Sequence, residues 1–135
     1  MKELTQDVQE QLLEALNERV LRPMAQRAGF DVAQLHYRDL FVVSYTTDAQ
    51  PGLALHRDGS LLSFNVLLSS PTDFVGGGTR FPHIDAIMRP ARGDAVVHSG
   101  SALHEGVPIT DGTRLLLVGF VDSRREIESP GARNR

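Results

Sequence analysis

The segment Leu61-Leu-Ser-Phe-Asn-Val-Leu-Leu-Ser69 alternates polar and apolar side chains along its first part. Because successive side chains of an extended strand point to opposite faces, Ser63 and Asn65 share one face of this segment. The other face carries Leu62, Phe64, Val66 and Leu68. A period of two indicates a β-strand with at least one buried face. Ser63 and Asn65 then lie either on the solvent side of this strand or in a polar pocket inside a β-barrel.

A similar strand-and-turn pattern extends on both sides of this segment, from residue 39 to residue 122. Short β-branched and aromatic runs alternate there with clusters of Gly, Pro, Asp and Ser, which is typical of an antiparallel β-domain. We predict strands at residues 40–46, 53–57, 61–69, 79–82, 94–98, 102–107 and 113–121. We predict turns at residues 49–52, 58–59, 76–78, 91–93 and 110–112, and we interpret the glycine run at 76–78 as a tight β-hairpin.

A helix precedes these strands. Residues 3–22 carry an apolar residue at every fourth position, namely Leu4, Val8, Leu12, Leu16 and Val20. Pro23 is predicted to end or kink this helix, and Gly29 to stop a second short helical piece. The expected fold is therefore mainly β with an N-terminal helix, and its core is a double-stranded β-helix of the jelly-roll or cupin-like type. We expect one domain over residues 1–135, with a helical part at 1–30, a β-barrel core at 39–122 and a frayed polar tail at 123–135.

Composition excludes several classes of protein. The chain has 135 residues, 41% of them hydrophobic and 23% charged, as expected for a globular domain with a buried core. Its net charge of −3 argues against a nucleic-acid surface, and no apolar run is long enough to span a membrane. The absence of cysteine excludes disulfides and thiolate chemistry. The N-terminus lacks the apolar region of a signal peptide, so we expect a cytoplasmic location.

The motif His56-Arg-Asp58 is followed much later by His104. In an extended segment His56 and Asp58 point to the same side, and a strand further along could bring His104 to them. Two imidazoles and one carboxylate are the ligand set of a non-haem Fe(II) site with open positions. The spacing alone also fits a solvated turn, because Asp58-Gly59-Ser60 has ordinary turn composition.

The other histidines are weaker candidates for metal ligands. His98 ends the predicted strand at 94–98 and is the main rival to His104 as the third ligand. His83 follows Pro82 in a loop, and His36 precedes the barrel. We expect these three to be packing or surface histidines.

Two further polar residues are candidates for binding an anion. Arg114 begins the apolar strand at 113–121, where a guanidinium could hold a carboxylate with two parallel hydrogen bonds. Tyr45 ends the strand at 40–46, and its hydroxyl could donate to the same carboxylate. The alternatives are an exposed arginine after a turn and a packed tyrosine with a hydrated hydroxyl.

In order and spacing, these segments resemble the Fe(II)/2-oxoglutarate-dependent dioxygenases of the prolyl-4-hydroxylase type. The resemblance is closest to the catalytic domain of the procollagen lysyl hydroxylases. The matching segments are Phe41-Val-Val-Ser-Tyr45, Gln50-Pro51, His56-Arg-Asp58, Ser63-Phe-Asn65, Gly76-Gly-Gly-Thr-Arg-Phe81, Arg92-Gly93-Asp94, His104-Glu-Gly-Val-Pro108, Gly112-Thr-Arg114 and Phe120-Val-Asp122.

The resemblance implies a role for each candidate residue. It implies that the iron ligands are His56, Asp58 and His104, and that Arg114 pairs with the distal carboxylate of 2-oxoglutarate. It places Tyr45 and Asn65 among the polar groups on the cosubstrate side, and it puts His98 outside the metal triad. Fe(II) is the implied cofactor and 2-oxoglutarate the cosubstrate, with ascorbate as a further candidate.

The implied reaction is hydroxylation of an unactivated carbon with release of succinate and CO₂. We expect a lysine-like substrate, peptidyl or free, because Asp48 and Asp73 fall in loops expected near the mouth of the barrel and could attract a cation. The expected partners are a small molecule, an amino acid or a peptide, and neither nucleic acid nor a membrane; the oligomeric state stays open. Two alternatives remain: a non-catalytic, metal-binding cupin-like sensor or ligand-binding protein, and a structural β-domain with incidental histidines.

Overall fold

The computed structural model describes residues 5–124, which divide into two compact units. The first unit contains the described residues up to Arg38 and those from Val121 onward, and the second is Asp39–Phe120. The helical elements are α1 (Gln6–Leu16), a π-helical segment (Asn17–Leu21), α2 (Arg22–Ala28) and 3-10 turns at Val32–Gln34, Pro71–Asp73 and Pro82–Ile84. The strands are β1 (Leu35–Thr46), β2 (Leu53–His56), β3 (Leu62–Leu67), β4 (Phe74–Gly76), β5 (Thr79–Phe81), β6 (Ala86–Met88), β7 (Ala95–Ser99), β8 (His104–Gly106) and β9 (Ile109–Ser123).

The helices of the first unit follow the apolar stripe of the sequence. At the start of α1 the Thr5 hydroxyl accepts a hydrogen bond from the Val8 amide, which caps the first turn. Gly29 ends α2 with a left-handed backbone (φ +81°), as predicted. The side chains buried along these helices are Leu16, Val20, Leu21, Met24 and Ala25.

Pro23 does not end the helical path, which passes through this residue and continues to Ala28. Pro23 lies in the first turn of α2, immediately after the π-helical segment Asn17–Leu21. In that segment the Arg22 amide donates to the Asn17 carbonyl, five residues earlier. This wider turn shifts the hydrogen-bond register just where proline has no N–H to donate.

The strands form two antiparallel sheets, which confirms the predicted fold class. One sheet has the order β1-β9-β3-β7, with β4 added on β9, and the other has the order β2-β8-β5-β6. All seven predicted strands are present, and β4 and β6 are additional. Each of these two has three residues, too few to show a period in the sequence.

Two predicted turns were wrong. The glycine run at 76–78 is not a hairpin, because it connects β4, which pairs with β9, to β5, which pairs with β6 and β8. Residues 110–112 lie inside the long strand β9, where Gly112 pairs with Phe74 of β4. Gly112 keeps the positive φ (+81°) typical of a turn, but its neighbours stay extended because β4 supplies them with a partner.

The single-domain organisation and its internal boundaries stay a prediction. Strand β9 ends at Ser123, the first residue of the predicted tail, and residues 125–135 of that tail lie outside the described residues.

The second unit depends on a close contact between Gly119 and Phe64. Phe64 is 1% exposed, and a Cβ added at Gly119 would overlap the Phe64 ring. We therefore expect Gly119→Ala to lower the free energy of unfolding by about 1–3 kcal/mol through overpacking. Denaturant unfolding measures this loss.

A double-mutant cycle checks the cause of that loss. Phe64→Leu removes the ring that the new methyl group would contact, so the two substitutions together should cost less than the sum of their separate effects. Additive costs would show that the Phe64 ring is not what excludes a side chain at position 119.

Candidate metal centre

Three potential metal ligands converge in the second unit. The second sheet pairs His56, the last residue of β2, directly with His104, the first residue of β8. Asp58 follows just beyond β2, and its Oδ1 lies 3.3 Å from Nε2 of His56 and 3.2 Å from Nε2 of His104. The three ligand atoms all lie within 4.8 Å of one another. This is the donor set of a 2-His-1-carboxylate site, which leaves one face of an iron ion open.

Backbone carbonyl groups orient both imidazoles of the triad. Nδ1 of His56 lies 2.7 Å from the Ala54 oxygen, and Nδ1 of His104 lies 2.9 Å from the Ala102 oxygen. A carbonyl oxygen can only accept a hydrogen bond, so each Nδ1 must carry the proton. In its neutral form each ring then presents the lone pair of Nε2 to a metal, in the orientation that outer hydrogen bonds commonly give to ligating histidines.

Two loops hold Asp58 in place. The Asp58 amide donates to the Gly100 carbonyl at 2.9 Å, and the Gly100 amide donates to the Leu61 carbonyl at 3.2 Å. A side chain at Gly100 would overlap the Ser60 carbonyl, so the close approach of the loops requires glycine. The chain after β2 is thereby tied to the chain between β7 and β8, which leads to His104.

The surroundings keep Asp58 in the form that can bind a cation. Burial by itself would raise the pKa of Asp58, but hydrogen bonds from His104 and Ser63 outweigh burial and hold that pKa below its ordinary value. Burial by itself would lower the pKa of His104, and its hydrogen bonds with Asp58 and the Ala102 carbonyl raise it instead. The two groups stabilise each other's charged forms.

His98, the rival candidate for the third ligand, also lies beside Asp58, but it is not one of the three residues whose ligand atoms converge. Its side chain is 8% exposed, and its Nε2 is 3.8 Å from Oδ2 of Asp58, whereas His56 and His104 contact Oδ1. Burial lowers the pKa of His98. Its neighbour across the β3–β7 pairing is Ser63, which also forms a hydrogen bond with Asp58.

Tyr45 and Asn65 line the same cavity as the triad, as their predicted roles require. Asn65 is 7% exposed, and its Oδ1 has no hydrogen-bond partner within residues 5–124. A buried amide group without a partner is costly, and a polar ligand in the cavity would satisfy it. Burial raises the pKa of Tyr45, so its hydroxyl stays a hydrogen-bond donor.

Arg114 lies next to Tyr45 but opens onto a neighbouring cavity. Its guanidinium carbon is 5.3 Å from the centre of the Tyr45 ring, and the residue is 2% exposed. Burial lowers the pKa of Arg114, and no acidic side chain within residues 5–124 forms an ion pair with it. A buried cation without an acidic partner fits the binding of an anionic ligand.

The sequence reasoning missed the apolar rim of the triad cavity. Phe41 and Phe120 meet edge to face with their ring centres 5.3 Å apart, and Val43 and Val118 continue this wall. All four are half-buried, whereas Tyr45, on the same strand as Phe41, is buried. The signal was present in the sequence, because these four residues are alternate residues of β1 and β9 and therefore share a face with Tyr45 and Arg114.

The two sheets, with two histidines and one carboxylate between them, define a double-stranded β-helix with a facial-triad site. Solved structures with this fold include a member of the 2OG-Fe(II) oxygenase family from Burkholderia pseudomallei. It is 23% identical with a TM-score of 0.69, and the match covers 85% of this chain and 55% of that one. A collagen prolyl hydroxylase of Paramecium bursaria Chlorella virus-1 is 20% identical with a TM-score of 0.58, and the match covers 84% of this chain and 68% of that one.

The sequence is related to procollagen lysine dioxygenases. It is 42% identical over 100 residues to procollagen-lysine,2-oxoglutarate 5-dioxygenase 1 of Mus musculus, a match that covers 71% of this chain and 13% of that protein. It is 44% identical over 86 residues to the multifunctional procollagen lysine hydroxylase and glycosyltransferase of Rattus norvegicus. This match covers 61% of this chain and 12% of that protein. The resemblance to this family is confirmed by these matches, and the three converging side chains are the type of ligand set that can hold a metal ion.

These similarities have limits. The chain spans only 12–13% of the length of those curated relatives, and no family model matches it. Among the described residues, no helix is long and apolar enough to cross a membrane. The roles of the individual site residues stay predictions.

We expect alanine at His56, Asp58 or His104 to weaken Fe(II) binding at least about tenfold, because each change removes a ligand atom. Anaerobic titration with Fe(II) measures the effect. The matched control is His83→Ala, which removes an exposed histidine from a 3-10 turn and should bind iron normally. Normal binding by His104→Ala together with lost binding by His98→Ala would show that the third ligand was chosen wrongly.

Proposed function

We propose that this chain is an Fe(II)- and 2-oxoglutarate-dependent hydroxylase that oxidises an unactivated carbon and releases succinate and CO₂. The observation that carries the proposal is the convergence of His56, Asp58 and His104 within 4.8 Å, in a chain related to procollagen lysine dioxygenases. Bound iron would supply the oxygen chemistry, in which one oxygen atom enters the substrate and the other enters succinate.

The residues of this chain provide position, charge and exclusion of water. Asp58 supplies the negative charge that a divalent ion requires, and the backbone bonds at Nδ1 keep Nε2 of His56 and His104 turned toward it. The cavity wall beside the triad is apolar, with Leu53, Phe64, Leu116 and the rim among its lining residues. An apolar wall limits the access of bulk water to the reacting carbon.

The cosubstrate would lie between the triad and Arg114. Asn65 and Tyr45 line the triad cavity, and Arg114 contacts the ring face of Tyr45. A carboxylate held by Arg114 would neutralise a cation that otherwise has no acidic partner within the described part of the chain. Asn65 could donate to the cosubstrate with its amide nitrogen after a half-turn of its side chain.

For the substrate we propose a lysine-like side chain, in a peptide or a free amino acid. The support is that the relatives are procollagen lysine hydroxylases. The half-buried rim suits an aliphatic chain, and the faces of Phe41 and Phe120 can attract an ammonium group. Asp48 and Asp73 are not part of this support, because neither lines the triad cavity, whose wall in residues 5–124 contains Asp58 as its only acidic side chain.

Ascorbate as a reductant and a cytoplasmic location stay predictions.

A non-catalytic metal-binding sensor is the second candidate function, and it would retain the triad without turning over 2-oxoglutarate. The discriminating experiment is anaerobic addition of 2-oxoglutarate to the Fe(II)-loaded protein, followed by visible spectroscopy. A hydroxylase should develop the charge-transfer band of chelated 2-oxoglutarate. If the protein binds iron but shows no such band, the proposed hydroxylase activity is wrong.

We expect Arg114→Ala to raise the concentration of 2-oxoglutarate needed for half-saturation. Loss of a charged partner from a bound carboxylate should cost about 2–5 kcal/mol, which is about thirtyfold or more in affinity. Fe(II) affinity should stay nearly unchanged, because Arg114 is not among the three converging ligands. Arg92→Ala, which removes an exposed arginine from a turn, is the control. Equal 2-oxoglutarate titrations of Arg114→Ala and Arg92→Ala would remove Arg114 from the site.

The substrate class is tested by succinate release and by the mass gain of one oxygen atom. The panel contains peptides with a central lysine, arginine or proline, together with the free amino acids. We expect turnover of lysine substrates ahead of proline ones. Turnover of proline substrates alone would overturn the lysine assignment while leaving the reaction class in place.

A further inference from the structure

Within residues 5–124, three histidines line the triad cavity, and His98 is the one that does not belong to the metal triad. Its side chain is 8% exposed, and its ring packs against Phe81 at a steep angle, with the ring centres 5.2 Å apart. The ring centre of His104 is 4.4 Å away. A polar ring buried in the wall of a cavity requires a hydrogen-bond partner, and its orientation determines which kind of partner it can bind.

The ring of His98 is held with its Nε2 toward Asp58. Nδ1 lies 2.8 Å from the carbonyl oxygen of Ser99, which can only accept a hydrogen bond, so Nδ1 carries a proton. Burial is the largest effect on the pKa of His98 and lowers it, so the ring stays neutral. Nε2 of the neutral ring therefore has a lone pair and accepts hydrogen bonds.

Nε2 of His98 and Oδ2 of Asp58 form two neighbouring acceptors, which we call the acceptor pair. The two atoms are 3.8 Å apart, too far for a direct hydrogen bond, and neither can donate to the other. His56 and His104 contact the other carboxylate oxygen, Oδ1. A group with two or more N–H or O–H donors could bridge the acceptor pair with hydrogen bonds of ordinary length, about 2.9 Å.

The charge of the cavity wall favours a cation as this donor. Asp58 is the only acidic side chain in the wall within residues 5–124, and no lysine or arginine lines it there. An ammonium group has three N–H donors on one atom, so it can bridge two acceptors about this far apart. Hydrogen bonds in which one partner is charged are also about twice as strong as those between neutral groups.

We propose that the acceptor pair binds the terminal ammonium group of the lysine-like substrate, so that His98 is a specificity-determining residue. The identity of the substrate rests on the function proposed above, whereas the location of the ammonium site rests on the positions of His98 and Asp58. The half-buried rings of Phe41 and Phe120 attract the cation as it enters, and the buried acceptor pair then holds it in the same cavity. An ammonium group bound there leaves the neighbouring carbons of its chain close to the metal ligands.

Two short peptides that differ only in the ammonium group test this site, one with a central lysine and one with norleucine in its place. Their affinities are measured by calorimetry with the Fe(II)-loaded protein and 2-oxoglutarate, in the absence of oxygen. The unaltered protein should bind the lysine peptide about tenfold or more tightly, because a hydrogen bond to a charged group contributes more than a neutral one.

Two variants of similar size separate the acceptor of His98 from its shape. His98→Met fills the space without a strong acceptor, so it should lose most of the lysine preference and leave norleucine binding nearly unchanged. His98→Gln restores an acceptor oxygen and should retain most of the preference. His83→Met, which replaces the exposed histidine of a 3-10 turn, is the control and should bind both peptides normally.

A measurement on the unaltered protein does not depend on how well the variants fold. In the Zn(II)-loaded protein with ¹⁵N-labelled histidine, the Nε2 resonance of His98 should shift when the lysine peptide is added and stay in place with the norleucine peptide. A His98 resonance that responds equally to both peptides, or to neither, would overturn the proposal.

The outcomes are separable from those of the proposed hydroxylase. Equal affinity for the two peptides, or a lysine preference that persists in His98→Met, would overturn the ammonium site even if 2-oxoglutarate is turned over. A lysine preference that depends on the acceptor of His98 would support the site even if no succinate is released.

Discussion

The side chain of Asp58 is 5% exposed, and an ionised carboxylate buried to this degree is stable only where donors or a cation surround it. In this protein the surrounding groups are His56, His104 and Ser63, with His98 slightly farther away. These groups come from four different strands or their ends. The pairing of strands in both sheets therefore brings together the groups that stabilise the buried carboxylate of Asp58. A bound metal ion would add a positive charge to this stabilisation.

The opposite requirement holds at Arg114. This cation is buried without an acidic partner in residues 5–124, so the protein itself leaves its charge uncompensated. Burying one unpaired charge is unfavourable for folding, and such a cost is commonly found where a ligand completes the pair. A negative centre at Asp58 that can hold a metal and a positive centre at Arg114 together suit a ligand with a chelating end and an anionic end.

Glycines decide how closely the loops around these charges can approach. Gly100 lets the loop before β8 contact the loop after β2, and residues 76–78 pass close to the stem of Arg114. The sequence indicated turns at residues 58–59 and 76–78, but it could not show which backbone or side chain each glycine would meet. Residues 76–78 were interpreted as a hairpin because glycine composition is the same in a hairpin and in a crossing between sheets.

Local patterns in the sequence determined the strand positions, the face shared by Ser63 and Asn65, and the candidates for the metal triad and for Arg114. These features depend on a period of two and on the chemistry of single residues, and both can be read along the chain. Only the tertiary structure decided the partner of each strand, the position of His98 beside Asp58, and the burial of Arg114 beside the ring of Tyr45. Such contacts join residues distant in sequence, and their geometry is set by the packing of whole sheets rather than by any local propensity.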